Sequence, residues 1–277
     1  MLKAGFLFPV EESDWISPIV IQGKKIGGIC VCVDFRGLNE ACMHDPFPMS
    51  FCDEILDKVT GNEAYSFMDD FSGYHQICIA EEDKSKPSFA TEWGSYAYNV
   101  MPFGLKNSPA VFSRVVVVAF RDYIHKFVEL YLDDWTVYSM LKDHAMKLRL
   151  MLDKCWQMQL SCNINKCLFC TAFGVLLGRI VCKEGLLVDP AKVSVIVNLP
   201  APEIVSTLRS TLGHTRYYCR FLRGYVELTT PMEDLLRKGV RSIRARKPLN
   251  KKAPVPFLPA RASLTPLELM WAEKIIL

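Results

Sequence analysis

The 277-residue chain has no uninterrupted stretch of about eighteen apolar residues, so no segment reads as a membrane-crossing helix. Its opening, MLKAGFLFPVEESDW, has too short an apolar part and turns acidic too soon for a secretory signal. The five histidines show no HExxH spacing, and no GxxxxGK[ST] phosphate loop is present; this removes the common zinc-hydrolase and nucleotide-triphosphatase motifs. Internal repeats and low-complexity segments are also missing. The chain lacks a strong charge of one sign: the total is +3, and the stretch from Arg237 to Lys252 alone holds eight Lys or Arg and no acid, which leaves −5 for the rest. A contact between the body and a polyanion therefore has to come from local patches. The eleven cysteines have irregular spacings, and Cys167-x-x-Cys170 has no second knuckle. Plain core cysteines in a reducing, intracellular compartment, cytoplasmic or nuclear and not secreted, are the expectation rather than a disulfide framework or a zinc site.

What is present is a mixture of helical and strand-like segments. SPIVIQGKK and GICVCVDF read as a hairpin around Gly27-Gly28. PFPMSFCDEILDKV becomes a short helix from Ser50 or Asp53, and AYSFMD, HQICIA and SYAYNVM read as strands. A helix is expected from Ser108, with Pro109 in its first turn, to about Lys126, against the weak objection of the β-branched run Val115 to Val118. FVELYLDDWTVYS reads as two short strands around an acidic turn, residues 142–160 as a long amphipathic helix, GVLLGRIVCKEGLLVDP as strands with a glycine turn, and residues 203–238 as mostly helical. Without repeated strand–helix alternation, the class expected is α+β rather than a doubly wound parallel sheet.

The chemistry centres on Tyr131-Leu132-Asp133-Asp134. Two adjacent carboxylates at a hairpin tip repel by about 4 kcal/mol at 4 Å and an effective dielectric of 20. A divalent cation removes that repulsion, and Mg²⁺ takes hard oxygen ligands. A bare aspartate pair is also an ordinary solvated turn. AYSFMDDFSGYHQI, however, ends another apolar strand in Asp69, 64 positions before Asp133, and sheet pairing would bring them together. Three carboxylates would then hold two metal ions, one activating a 3′-hydroxyl and one steadying a leaving pyrophosphate. Alternation sends Asp69 and Asp70 to opposite faces but does not say which of them belongs to the site.

From about Trp15 to Lys238 the chain resembles the reverse transcriptases of gypsy-type long-terminal-repeat retrotransposons. The agreeing blocks occur in order: WISPIV, KK, VCVDFRGLNE, DPFPMSFCDEILDKVTG, YSFMDDFSGYHQI, MPFGLKNSPAVF, YLDDWTVYS, NKCLF, LLGRIVCKEGLLVDP and LRSTLGHTRYYCRFL. The resemblance implies a right-hand polymerase core of fingers, palm and thumb, with a small antiparallel palm sheet backed by helices. It implies RNA-directed DNA polymerase activity: nucleotidyl transfer from a dNTP to a primer 3′-hydroxyl on an RNA or DNA template, with two Mg²⁺ (Mn²⁺ a substitute). It implies Asp69, Asp133 and Asp134 as the catalytic, metal-holding carboxylates, and selects Asp69 over Asp70. Tyr74 would be the steric gate against a 2′-hydroxyl. Phe103, Gly104 and Tyr131 would line the nucleotide site, Lys24 and Lys25 would contact phosphates, and Leu177, Gly178 and Arg179 would grip the primer end. Residues 1–182 would form fingers and palm, 183–238 a thumb-like helical segment, and 239–277 a basic, proline-rich divergent tail.

Several positions depart from the family pattern. Cys30 stands where an arginine is expected four residues before Asp34, and cysteine supplies no bidentate phosphate clamp. Cys219 replaces an arginine, Arg179 a histidine, and Asp70 a small or apolar residue. RSIRARKPLNKKAPVPF does not resemble the connection that leads to an RNase H domain. These departures support an alternative expectation, a truncated and decayed copy that at most binds nucleic acid.

Overall fold

The computed structural model describes residues 1–23, 27–222 and 224–237, the side chain of Cys30 excepted. Lys24, Lys25 and the tail 239–277 lie outside the described residues. Along the chain run β1 (Leu7–Val10), β2 (Ile16–Ser17), β3 (Ile19–Gly23) and β4 (Ile29–Val33), then α1 (Arg36–Ala41) and α2 (Cys52–Val59). Next come β5 (Ala64–Asp69), β6 (Ser88–Thr91), β7 (Gly94–Tyr98), α3 (Ser108–Phe120), β8 (Val128–Tyr131), β9 (Asp134–Ser139) and α4 (Leu141–Gln157). The remainder is β10 (Leu168–Thr171), β11 (Phe173–Leu176), β12 (Arg179–Cys182), β13 (Gly185–Leu187), α5 (Pro190–Val197), α6 (Val205–Arg216) and α7 (Tyr225–Arg237). Helices and mainly antiparallel strands are thus mixed without alternation, which is the α+β class expected.

Contacts divide the chain into two compact units: Met1–Leu177 with Val181–Leu186, and Gly178–Ile180 with the residues from Leu187 on. The first unit is built on a four-stranded antiparallel sheet, order β10-β5-β9-β8. Side chains alternate across a strand, so β5 and β9 each feed two cores. Met68, Trp135 and Val137 pack with Phe112, Val116 and Phe120 of α3 and Met151 of α4. Tyr65 and Tyr138 pack with Ile55, Leu56 and Val59 of α2. Burial on both faces explains why these strands read as nearly continuous apolar runs. His144 fastens α4 to the sheet: its ring nitrogens lie 2.8 Å from Ser66 Oγ on β5 and 2.9 Å from Ser139 Oγ on β9.

A second sheet, β1-β7-β6-β2, and the β3–β4 hairpin also belong to this unit. The hairpin runs in register from Ile19↔Val33 to Gly23↔Ile29, as the glycine pair suggested. Two expectations are corrected. HQICIA is not a strand: Ser72 turns left-handed at φ 52°, Gly73–Gln76 coil as a 3-10 turn, and only Cys78 bridges, to Val100. Its alternating Ile77 and Ile79 still pack on the core, which is what made the segment look strand-like. Helix α3 ends at Phe120 rather than near Lys126, because the Phe120 carbonyl accepts from the N–H groups of Tyr123 and Ile124 and His125 then turns left-handed at φ 64°. The valine run does not break α3, since burial of Val116 outweighs a small propensity penalty. In the second unit, Asp189 caps α5 by accepting from Ala191 N at 2.9 Å, and the expected helical stretch appears as α6 and α7.

Candidate active site

β5 ends at Asp69, β9 begins at Asp134, and their antiparallel register pairs these two residues directly. Partners opposite each other in a sheet point to the same face. In the β8–β9 hairpin the last pair is Tyr131↔Asp134, so Leu132 and Asp133 form a two-residue turn. Leu132 occupies φ 51°, unfavourable for a branched side chain, and the turn is tied down by Asp70 N donating to Asp133 O at 3.4 Å. Asp69 thereby shares one end of one sheet with the sequence-distant pair Asp133 and Asp134.

Their charges interact. Partial burial, then the charge of Asp69, pushes the Asp133 carboxyl up, with Lys166 opposing. Asp134 reaches solvent but is crowded by neighbouring protein; that crowding, followed by Asp69 and Asp133, raises it, and Lys166 again opposes. Lys166 Nζ donates to Asp69 at 3.0 Å (Oδ1) and 3.3 Å (Oδ2). Sequence reading missed this lysine. The only signal was its place in the NKCLF block.

Tyr74 lies beside the cluster. Burial, then Asp133 and Asp70, pushes its phenol up to about 12. Its ring packs on Phe103 (centroids 4.9 Å apart) and edge-on to Phe112 (5.7 Å), and Phe103 also meets His75. The following Gly104 sits at φ 100°, a conformation that only glycine adopts without strain. Asp70 turns the other way. It is 6 % exposed, and its Oδ2 has no hydrogen-bond partner. Burial first, then Asp133 and Asp69, raises it to about 7, while backbone hydrogen bonds at Gly73 and at its own residue pull downward. A Cβ on Gly73 would lie 1.5 Å from this Oδ2 and 2.6 Å from the Phe112 ring, so glycine is required by close approach.

The structure thus brings together Asp69, Asp133, Asp134, Tyr74 and Phe103, with Gly104 next in the chain. Tyr131 is partly buried and packed, like Leu177, on the α2 core. Leu177 (φ 48°) and Gly178 (φ 72°) make the turn between β11 and β12. Arg179 is buried within the second unit, where it donates to Tyr217 O at 3.1 Å and lies 5.2 Å from that ring. Of Cys30 only the backbone is described, paired with Gln22.

Comparison with known proteins gives a consistent picture. The family described as reverse transcriptase (RNA-dependent DNA polymerase) matches residues 22–222. The chain is similar to the Retrovirus-related Pol polyprotein from transposon 297 of Drosophila melanogaster, 34% identical over 83% of this chain and 22% of that protein. It is 32% identical to the polyprotein from transposon gypsy of the same organism over 93% of this chain and 25% of that protein. It therefore spans about a quarter of the length of these relatives. Among solved structures, the foamy viral protease-reverse transcriptase in complex with double-stranded DNA matches with a TM-score of 0.79 at 20% identity, covering 87% of this chain and 50% of that one. Its complex with an RNA/DNA hybrid gives 0.75 at 20% identity, covering 87% and 32%. At that identity the likeness speaks for the fold, an α+β polymerase core.

Proposed function

Because the chain belongs to the reverse transcriptase (RNA-dependent DNA polymerase) family, we propose that it is the polymerase core of a retrotransposon Pol protein. In this reading it extends a DNA primer with dNTPs along an RNA or DNA template. Residues 1–182 serve as fingers and palm and 183–238 as the thumb-like segment. The observation that carries this reading is the direct pairing of Asp69 with Asp134, with Asp133 at the hairpin tip between them.

The family works with divalent metal ions, and the donor set suits them. Among the described residues no three His, Cys, Asp or Glu side chains draw close enough to cage an ion by themselves. Mg²⁺ rarely needs such a cage, being held by one or two carboxylates together with substrate phosphates. Burial, followed by the repulsion of neighbouring carboxylates, raises Asp133 and Asp134, and a cation relieves that repulsion. Asp69 and Asp133 would hold two Mg²⁺, or Mn²⁺, with Asp134 more peripheral. When bound, the ions lower the pKa of the attacking 3′-hydroxyl and neutralise the leaving pyrophosphate. The protein's part is placement. Sheet pairing fixes the carboxylates, and the Tyr74–Phe103 pair provides an apolar floor for the incoming sugar. At that floor Tyr74 excludes a 2′-hydroxyl.

Primer extension on poly(rA)/oligo(dT) with Mg²⁺ tests the reading. Asp133→Asn keeps the side-chain size and removes a charged ligand, so extension should fall by about a hundredfold or more with an unchanged melting temperature. Full activity in that variant would sink the site assignment. One observation favours the second reading, a decayed copy that only binds nucleic acid: a buried carboxyl with an unpartnered oxygen, Asp70, stands next to Asp69. Hybrid binding without any extension by the wild-type chain would select it.

A further inference from the structure

We propose that Lys166 is a resident counter-cation of the carboxylate cluster, a positioning residue that holds Asp69 and sets how tightly the cluster takes a divalent ion. The inference rests on the proposed role of these carboxylates as metal ligands.

Lys166 is carried by a segment fixed to the end of β5. Phe71 N donates to Ser161 O at 2.9 Å, and Asn163 N donates to Asp69 O at 2.8 Å. Gln76 grips the same segment from both sides: its Oε1 accepts from Ser161 N at 2.7 Å and its Nε2 donates to Ser161 O at 3.0 Å. The turn then closes on Asn163 O, which accepts from Lys166 N at 2.9 Å and Cys167 N at 3.1 Å. A flexible four-carbon side chain thus starts from a defined point, and its ammonium reaches both oxygens of one carboxylate.

Position and exposure suit an exchangeable contact. The Lys166 side chain is 63% exposed and that of Asp69 27%, so the ammonium can leave for water without a buried charge being stranded. Exposed pairs of this kind are weak. Yet the charge of Lys166 acts on Asp133 and Asp134 as well as on its hydrogen-bonded partner. An ammonium on Asp69 occupies the lone pairs a metal would use. A positive charge left nearby repels a dication in addition. Metal binding and the Lys166–Asp69 pair therefore oppose each other, and by linkage each weakens the other by the same factor.

The test is Mn²⁺ titration of the full chain with dNTP and a chain-terminated primer–template bound, followed by the electron paramagnetic resonance signal of free Mn²⁺ against a control without protein, which needs no turnover. Lys166→Met removes the charge and keeps the aliphatic bulk; at an exposed site it should leave the melting temperature of the metal-free protein little changed. It should tighten Mn²⁺ binding on the order of tenfold. Lys166→Arg keeps the charge and should stay near the wild type. In an Asp69→Asn background the gain from Lys166→Met should shrink. Unchanged or weaker Mn²⁺ binding by Lys166→Met overturns the proposal, and if Asp133→Asn still abolishes binding, the metal-site reading stands without it. If neither the wild type nor Lys166→Met binds Mn²⁺, the metal-site reading falls, and the proposal with it.

Discussion

Asp69 and Asp70 are neighbours in the chain and opposites in environment. Strand alternation made that split legible in the sequence, but nothing local said which carboxyl faced the site; only the family pattern chose Asp69. The structure gives Asp69 an open side and Lys166, and puts Asp70 against Gly73 and Phe112 with one oxygen unpartnered. A buried polar atom without a partner costs about 1–3 kcal/mol. Asparagine keeps the size and shape of aspartate, so it fits beside Gly73, and it cannot ionise. Burial first raises the folded Asp70 carboxyl to about 7, so between its ordinary 3.8 and about 7 the unfolded chain loses a proton that the folded chain keeps, and stability falls as pH rises through that interval. We expect Asp70→Asn to raise the urea midpoint at an unchanged slope, and by more at pH 8 than at pH 5. An equal effect at the two pH values would mean that the buried carboxyl does not titrate in this interval.

At the scale of elements, α4 and the β8–β9 hairpin were the most legible parts, because length and periodicity specify them without help from distant residues. Helix α4 was expected at 142–160 and runs over Leu141–Gln157. Less legible was β10, a four-residue strand with an irregular register whose Leu168 and Phe169 are largely exposed, so no apolar alternation announces it. His144 was also unmarked in the sequence, one polar residue in the first turns of an amphipathic helix. It is 2 % exposed, and burial, then Lys147, holds its pKa below the ordinary 6.5. The sign of its pH effect follows. As pH falls through about 6.5 the unfolded chain takes up a proton that the folded histidine still refuses, so stability declines until the folded pKa is passed. The contribution is fully present above pH 6.5 and is lost on acidification. His144→Gln keeps hydrogen-bonding capacity but cannot titrate. Urea midpoints at pH 7.5 and 5.5 should show the wild type losing more stability across that interval than His144→Gln. Parallel losses would assign the acid sensitivity elsewhere.

At the scale of the whole chain, class was legible and topology was not. Mixed helices and antiparallel strands without alternation are visible in local patterns, whereas the order β10-β5-β9-β8 depends on pairing β5 with β9, about seventy residues away, and with β10, about a hundred residues away. What only the whole chain reveals is its charge division: eight positive residues between Arg237 and Lys252 against −5 elsewhere, in a total of +3. Phosphate contacts release counterions, so the logarithm of affinity falls with the logarithm of salt in proportion to the number of contacts. A body with net negative charge makes such contacts only through local patches, and the basic stretch adds to them. Deleting residues 239–277 should therefore weaken binding to an RNA/DNA hybrid at low salt and flatten the salt dependence. Each lost phosphate contact should reduce the slope by about 0.7–0.9. Fluorescence anisotropy over a series of salt concentrations measures both quantities. An unchanged slope would show that the deleted residues make no phosphate contacts and that the rest of the chain accounts for all of the electrostatic binding.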